Sequence, residues 1–116
     1  MGYRVLASPL VLSQIRETAA HLKDDLGLPR SATALLDRVE EVIGIMESLP
    51  RSFPLDEEAG RRAGGEIRWA RVGSYKLYFD IDDDGGAVRL QTFRLQTFRQ
   101  FRQNPRGLPA ADLSSR

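Results

Sequence analysis

The chain has 116 residues and a mass of 13.0 kDa, of which 41% are hydrophobic and 28% charged. These proportions are typical of one globular domain with its own core. Cysteine is absent, which excludes disulfides, thiolate metal sites and a cysteine nucleophile. Because the first 16 residues lack the pattern of a cleaved signal sequence and no apolar stretch reaches about 18 residues, we expect a cytoplasmic protein that does not span a membrane.

The net charge of +1 conceals an uneven distribution along the chain. Residues 1–60 carry 6 basic and 10 acidic side chains, whereas residues 61–116 carry 11 basic and 6 acidic ones. Apart from Lys23 and Lys76, every cation is an arginine, whose planar guanidinium binds phosphate and stacks on bases. A phosphate-rich or carboxylate-rich partner of the C-terminal half is one interpretation. The codon usage of a G+C-rich genome is the other.

The first half of the chain predicts a strand followed by two helices. Residues 3–8 are rich in β-forming side chains, and Ser8-Pro9 is a typical helix start. Apolar residues then recur every three or four positions until Gly27. After a Gly-Leu-Pro break the same spacing predicts a second helix over 32–49, which Pro50 ends. The short connection predicts a helical hairpin.

The second half predicts a sheet. Residues 51–65 contain prolines and glycines without periodicity and predict a long loop. Alternating segments at 66–71 and 75–81 predict a hairpin, and an Asp-rich and Gly-rich turn at 82–86 leads to a third strand over 88–94. The predicted fold class is therefore α+β: an N-terminal strand, a helical hairpin and a three-stranded antiparallel meander, with the helices packed on one face of the sheet.

The alternation also predicts which face of the sheet each side chain occupies. The core-facing set comprises Tyr75, Leu77, Phe79, Ile81, Val88 and Leu90. The open face is predicted to carry Lys76, Tyr78 and Asp80, with Arg89, Gln91 and Phe93 beside them. This open face combines cations, an amide, a phenol and a phenyl ring.

The segment Leu90-Gln91-Thr92-Phe93-Arg94 is repeated directly as Leu95-Gln96-Thr97-Phe98-Arg99. A period of five fits neither a strand nor a helix, so the two copies cannot present the same side chains to one face. We expect the first copy to complete a strand and the second to begin a helical or irregular tail. One domain is predicted over residues 1–106, and residues 107–116 are predicted to be disordered.

Several kinds of site are excluded by the sequence. No glycine pair has the spacing and the following lysine of a phosphate-binding loop, so no nucleotide cofactor is expected. The run Asp82-Asp83-Asp84 lacks the alternating ligands and downstream glutamate of a calcium loop, and no other metal site is predicted. The single histidine, His21, lies off the apolar stripe of its helix, where we expect it to be solvated.

The order of these elements resembles the RelE/ParE superfamily of toxins from bacterial type II toxin–antitoxin modules, which includes the plasmid stabilisation type. The resemblance covers about residues 3–105. The segments that carry it are Tyr3-Arg4-Val5, Ser8-Pro9, Leu28-Pro29, Leu49-Pro50, Val72-Gly73-Ser74-Tyr75-Lys76-Leu77-Tyr78 and Arg102-Gln103-Asn104-Pro105. It implies a cognate antitoxin protein as a partner.

The resemblance implies one of two activities. RelE-like members cut messenger RNA on the ribosome, whereas ParE-like members inhibit DNA gyrase without known catalysis. For mRNA cleavage we predict Lys76, Tyr78 and Arg94 as the catalytic residues and Arg68, Arg71, Arg89, Arg99 and Arg102 as nucleic-acid contacts. The resemblance implies a cation at Lys76 and at Arg68, and one at Arg94, Arg99 or Arg102, which the repeat does not distinguish. Tyr78 is either an acid or a structural tyrosine.

This sequence departs from many RNA-cleaving relatives, which carry a tyrosine or histidine near the C-terminus. Phe98, Gln100 and Phe101 occupy that stretch here, and Tyr78 is the phenol that could replace the missing acid. The expected function is ribosome-dependent mRNA cleavage by a toxin. The alternatives are a ParE-like inhibitor of gyrase, an inactive member of the family, and a basic domain of unrelated role.

Overall fold

Four strands form one mixed sheet in the computed structural model, which describes residues 2–95. The strands are β1 (Arg4–Ala7), β2 (Arg68–Val72), β3 (Tyr75–Asp82) and β4 (Ala87–Leu95), and their order in the sheet is β1-β4-β3-β2. β2, β3 and β4 form the predicted antiparallel meander, and β1 adds to β4 in parallel. The α+β fold class is confirmed, and the sheet is open and mixed.

The two predicted helices are confirmed as α1 (Pro9–Ala20) and α2 (Pro29–Ser48). Each has a proline in its first turn, where the missing N–H costs nothing. The Ser8 hydroxyl accepts a hydrogen bond from the N–H of Val11 and caps α1. A π-helical turn over His21–Asp25 continues α1. Both helices pack against each other and against the sheet.

The predicted loop over 51–65 is wrong in part. A 3₁₀ turn at Pro50–Ser52 is followed by a short helix, α3 (Glu57–Ala63). The Asp56 carboxylate caps this helix by accepting a hydrogen bond from the N–H of Ala59, and Gly64 ends it with a φ of 78°. Seven residues are too few to produce an apolar periodicity, so the sequence shows only their polar, glycine-containing composition.

The core lies between one face of the sheet and the two long helices. The largest fully buried side chains are Phe79, Met46, Leu77, Val11, Val42, Val72 and Val88. Phe53, from the segment after α2, packs edge-on against Phe79 with ring centroids 5.6 Å apart. The core-facing assignment of Leu77, Phe79 and Val88 is confirmed, and the opposite face of β3 carries Lys76 and Tyr78.

The predicted position of Phe93 on the open face is wrong: Phe93 is 3% exposed and belongs to the core cluster. A β-bulge causes this difference. Phe79 pairs with Leu90, but Tyr78 pairs with Thr92, so Gln91 is an extra residue in β4. Beyond this residue every side chain of β4 changes face, since the side chains of a strand alternate. Phe93 therefore enters the core, and Arg94 moves to the open face.

Gln14 of α1 holds this bulged part of β4 in place. β1 ends opposite Leu90, so within residues 2–95 no strand pairs with β4 on that side from residue 91 onward. The Gln14 side chain is 9% exposed, and its Oε1 accepts hydrogen bonds from the N–H of Phe93 at 2.9 Å and from the Thr92 hydroxyl at 3.3 Å. An amide from a helix thus satisfies a backbone group that a strand satisfies elsewhere in the sheet.

Three predictions lie outside the described residues. They are the second copy of the repeat from residue 96 onward, the domain boundary at residue 106 and the disordered tail over 107–116. Within residues 2–95, no helix is long and apolar enough to cross a membrane.

Candidate functional site

Three cations lie side by side on the open face of the sheet. The strand register places Arg71 of β2 opposite Lys76 of β3, and Lys76 opposite Arg94 of β4. Neighbouring strands are about 4.8 Å apart, so the three side chains emerge from adjacent positions in one row. We call Arg71, Lys76 and Arg94 the cation row. Its third member is present only because the bulge at Gln91 changes the face on which Arg94 lies.

An aromatic pair lies next to the cation row. Trp69 of β2 is opposite Tyr78 of β3. The Lys76 Nζ lies 4.0 Å from the centroid of the Trp69 ring, and the Arg94 Cζ lies 5.0 Å from that of Tyr78. The Arg71 Cζ lies 6.0 Å from the Trp69 centroid. Each cation of the row therefore contacts the face of an aromatic ring, an attraction that the ring quadrupole supplies.

Burial changes the protonation of two groups at this site. It lowers the pKa of the Lys76 ammonium, and the charges of Arg71 and Arg94 lower it further, against the opposing effect of Asp56. Burial also raises the pKa of the Tyr78 phenol, although the charge of Arg94 opposes this change. Tyr78 is therefore a neutral hydrogen-bond donor at neutral pH, and Lys76 loses its proton more readily than a solvated lysine.

This arrangement combines fixed positive charge with two groups that can transfer protons. Cleavage of an RNA phosphodiester through a cyclic phosphate uses groups of these kinds: cations for the charge on phosphorus, a group that accepts the proton of the 2′-hydroxyl, and an acid for the leaving 5′-oxygen. Arg71 and Arg94 supply permanent positive charge. Lys76 and Tyr78 are the two groups of the site whose protons can move.

The other end of the open face has a different chemistry. There Arg89 donates to both oxygens of Asp80, at 3.2 and 2.6 Å, and Gln91 donates to Asp80 at 2.9 Å. Burial would raise the pKa of Asp80, but the hydrogen bonds from Arg89 and Gln91 outweigh it and leave the pKa below its usual value. The positive charge of Arg89 is thus neutralised within the fold.

Arg68 is also engaged within the fold. It shares its side of β2 with the buried Ala70 and Val72, and its side chain is only 14% exposed. Its guanidinium donates to the carbonyl oxygens of Phe53 at 2.7 Å and Arg51 at 3.3 Å. These bonds hold the segment after α2 against the edge of the sheet.

A cleft of about 480 Å³ lies beside Arg68. Asp83 forms part of its wall and accepts two hydrogen bonds from Arg51, at 3.1 and 2.6 Å, and one from the Tyr3 hydroxyl. The two bonds from Arg51 lower the pKa of Asp83. This cluster connects β1, the segment after α2 and the turn between β3 and β4, so its charged groups fix the fold.

The structure thus divides the residues predicted from the sequence into two groups. It brings together Lys76, Tyr78, Arg94 and Arg71, and it places Arg68 and Arg89 away from them in structural bonds. The other two predicted contacts, Arg99 and Arg102, lie outside the described residues. No group of three or more potential metal ligands occurs within residues 2–95.

Two further residues of the site were missed by sequence reasoning. Trp69 could have been found, because the two-residue turn at Gly73-Ser74 fixes the register of the hairpin and places Trp69 opposite Tyr78. Asp56, whose charge acts on both Lys76 and Tyr78, gave no signal, since its place beside the sheet depends on a short helix that the sequence did not predict.

Comparison with known proteins does not assign the chain to a family. No model of a known protein family matches the sequence, and no curated protein matches it either. Any function must therefore be argued from the residues of the open face and from the order of the elements.

Proposed function

We propose that the protein is a RelE/ParE-like toxin of a type II toxin–antitoxin module and that it cleaves messenger RNA on the ribosome through the open face of its sheet. The observation that carries this proposal is the cation row beside the aromatic pair. Clustered cations bind the phosphates of a single strand, and aromatic rings on a sheet are a common surface for RNA. The order of strand, helical hairpin and antiparallel meander supports the same family.

In this mechanism each residue has one role. Arg71 and Arg94 bind the scissile phosphate and stabilise the charge that develops on it. Lys76 accepts the proton of the attacking 2′-hydroxyl in its neutral form, which its lowered pKa makes easier to reach. Tyr78, a neutral phenol, donates a proton to the leaving 5′-oxygen. Positioning of the message by the ribosome completes a site that the protein supplies only in part.

Primer-extension mapping of a defined message in a reconstituted translation reaction tests this function. Purified, antitoxin-free protein is added with and without ribosomes. We expect cuts at codon-spaced positions that require the ribosome. The variant Lys76→Ala should lower cleavage by about tenfold or more, since a proton-transfer group contributes about 10²–10⁴-fold. Lys23→Ala, which removes the only other lysine, is the matched control and should cut like the wild type.

An intact message, under conditions in which an established mRNA interferase cuts, would contradict the proposal. Gyrase inhibition by the same preparation would then identify a ParE-like protein. Equal cleavage by Lys76→Ala and the wild type would remove Lys76 from the mechanism while leaving the activity in place.

A further inference from the structure

The position of the Lys76 side chain is not the one that its strand register alone predicts. Its direct neighbours across the strands are Arg71 and Arg94, two permanent cations. Like charges directly opposite each other on a sheet destabilise it. Lys76 instead reaches diagonally to Trp69, where its Nζ lies 4.0 Å from the ring centroid and 6.0 Å from that of Tyr78. The ammonium group is therefore much nearer the indole than the phenol.

The indole is the strongest cation-binding ring among the aromatic side chains, and a partly buried site increases its effect. Both conditions are met here, since Trp69 and Lys76 are each half-buried. Arg71 approaches the same ring from its own strand, with its Cζ 6.0 Å from the centroid. Within residues 2–95 no ion pair holds Lys76, so the ring is the contact that fixes its end group.

We propose that Trp69 is a positioning residue: its indole face holds the Lys76 ammonium beside Arg71 and Arg94, from which repulsion would otherwise drive it toward solvent. The inference rests on the proposed function for its catalytic consequence, but the geometry that it describes exists without substrate. Without the indole ring, the Lys76 side chain turns toward solvent. Its end group then no longer reaches a phosphate that Arg71 and Arg94 bind.

The surroundings of Lys76 support this role. Asp56, at the start of α3, is the carboxylate whose charge acts on Lys76, and Arg71 and Arg94 act on it from the two neighbouring strands. Tyr78, on the same strand, is neutral at ordinary pH because its pKa is raised. One carboxylate thus faces three cations, and the two aromatic rings supply the remaining attraction for positive charge.

The geometry can be tested without any activity assay. Lys76 and Lys23 are the only lysines of the chain, so protein labelled with ¹³C at the lysine ε-carbon gives two resolved signals. A proton above an indole face is shifted upfield by the ring current. We expect the ε-protons of Lys76 to lie upfield of those of Lys23 in the wild type, with a nuclear Overhauser effect to the indole of Trp69. Coincident signals without that effect would overturn the proposal.

Two variants distinguish the effect of the aromatic ring of Trp69 from the effect of the size of its side chain. Trp69→Phe keeps an aromatic face and should keep an upfield Lys76 signal, although a weaker one. Trp69→Leu keeps an apolar side chain without a π-system and should move the signal to the position of Lys23. Trp69 is on an edge strand and on the open face, so the core methyl signals of Val72 and Leu77 should remain in both variants. An upfield signal retained in folded Trp69→Leu would overturn the proposal.

The catalytic consequence is tested in the cleavage assay. Trp69→Leu should lower cleavage by about fivefold, the factor that corresponds to one cation–π contact, and Trp69→Phe should restore most of it. Because Trp69 acts through Lys76, the double variant should cut no less than Lys76→Ala alone. Additive losses would overturn the positioning role. If the wild type cuts no message, the proposed function fails, and the spectroscopic result still decides whether Trp69 positions Lys76.

Discussion

The two ends of the open face use the same residue types in opposite ways. At one end Arg89 is bonded to Asp80 through two short hydrogen bonds, so its charge is neutralised. At the other end Lys76 and Arg94 lie against the rings of Trp69 and Tyr78. A carboxylate holds a cation and cancels its charge, whereas a ring holds a cation and leaves its charge in place. Positive potential is therefore concentrated at one end of the face.

The boundary between these ends is the bulge at Gln91. Before Gln91, the side chains of β4 alternate so that Val88 and Leu90 lie in the core. After Gln91 the alternation is reversed, so Phe93 lies in the core instead. If Gln91 paired regularly, Arg94 would lie on the core side and the row would have two cations, whereas the bulge gives it three. The bulge also gives Phe93 to the core, where its ring stacks on that of Tyr75 with centroids 5.2 Å apart.

Moving Phe93 out of the core should have the largest effect. Insertion of one alanine after Thr92 would place Phe93 on the open face and Arg94 on the core side, so we expect a loss of at least about 3 kcal/mol in the free energy of unfolding. Deletion of Gln91 removes the extra residue but leaves Phe93 opposite Leu77 and Arg94 opposite Lys76, so it should cost less. Urea denaturation measures both. Equal losses would show that the face on which Phe93 lies does not determine the stability of the strand.

The hydrogen bonds from Gln14 should have the next largest effect. Gln14→Leu leaves the buried N–H of Phe93 without its acceptor, which should cost about 1–3 kcal/mol. Thr92→Val removes only the weaker bond at 3.3 Å and should cost less than about 1 kcal/mol. Thermal unfolding of the two variants shows which substitution causes the larger loss of stability. A larger loss in Thr92→Val would contradict the role of Gln14 as the partner of the bulged strand.

The two carboxylates that pair with arginines, Asp80 and Asp83, should determine how the stability of the fold changes in acid. The pKa values of Asp80 and Asp83 lie below their usual range in the folded protein. A carboxylate with a lowered pKa stabilises the fold above its unfolded-state pKa of about 3.9, and this contribution is lost as the pH falls through the folded-state value. We expect the stability of the wild type to fall between about pH 5 and pH 3.

The variant Asp80→Asn tests this pH dependence of stability. Its urea midpoint should differ from that of the wild type at pH 6, and the difference should shrink as the pH falls below about 4, because the wild-type carboxylate then takes up its proton. A difference that grows with falling pH would reverse the sign of the proposed pKa shift.

Single cations at the two ends should give the smallest effects, and these should differ in sign. Arg89→Met removes the partner of Asp80 and should lower stability slightly, since the pair lies at the surface. Lys76→Met removes a charge from between two arginines, so stability at low salt should change by less than about 0.5 kcal/mol and not fall. Added salt should reduce both differences. Equal destabilisation by the two substitutions would remove the distinction between the two ends.

Part of this account follows directly from the sequence. Ser8-Pro9 predicts the start of α1, and the alternation about Val72-Gly73-Ser74 predicts the hairpin, with Leu77 in the core and Lys76 on the opposite face. These features depend on local propensity and on the two-residue period of a strand.

The other part depends on contacts between distant segments. The bulge at Gln91 is specified by the fit of Phe93 into the core and by the amide of Gln14, which lies 79 residues earlier than Phe93. No local pattern contains that information, so alternation alone places Phe93 and Arg94 on the wrong faces. The short helix α3 is missed for another reason, because seven residues are too few to show an apolar periodicity, and the position of Asp56 depends on that helix.

The central claim concerns the two ends of the open face. RNA contacts the end where Lys76 and Arg94 lie against aromatic rings, and not the end where Arg89 pairs with Asp80. The most direct test compares Lys76→Ala with Arg89→Ala in ribosome-dependent cleavage, since each removes one cation from the same face. We predict that Lys76→Ala lowers cleavage by about tenfold or more, while Arg89→Ala stays within about twofold of the wild type. Equal losses, or a larger loss in Arg89→Ala, would contradict the account.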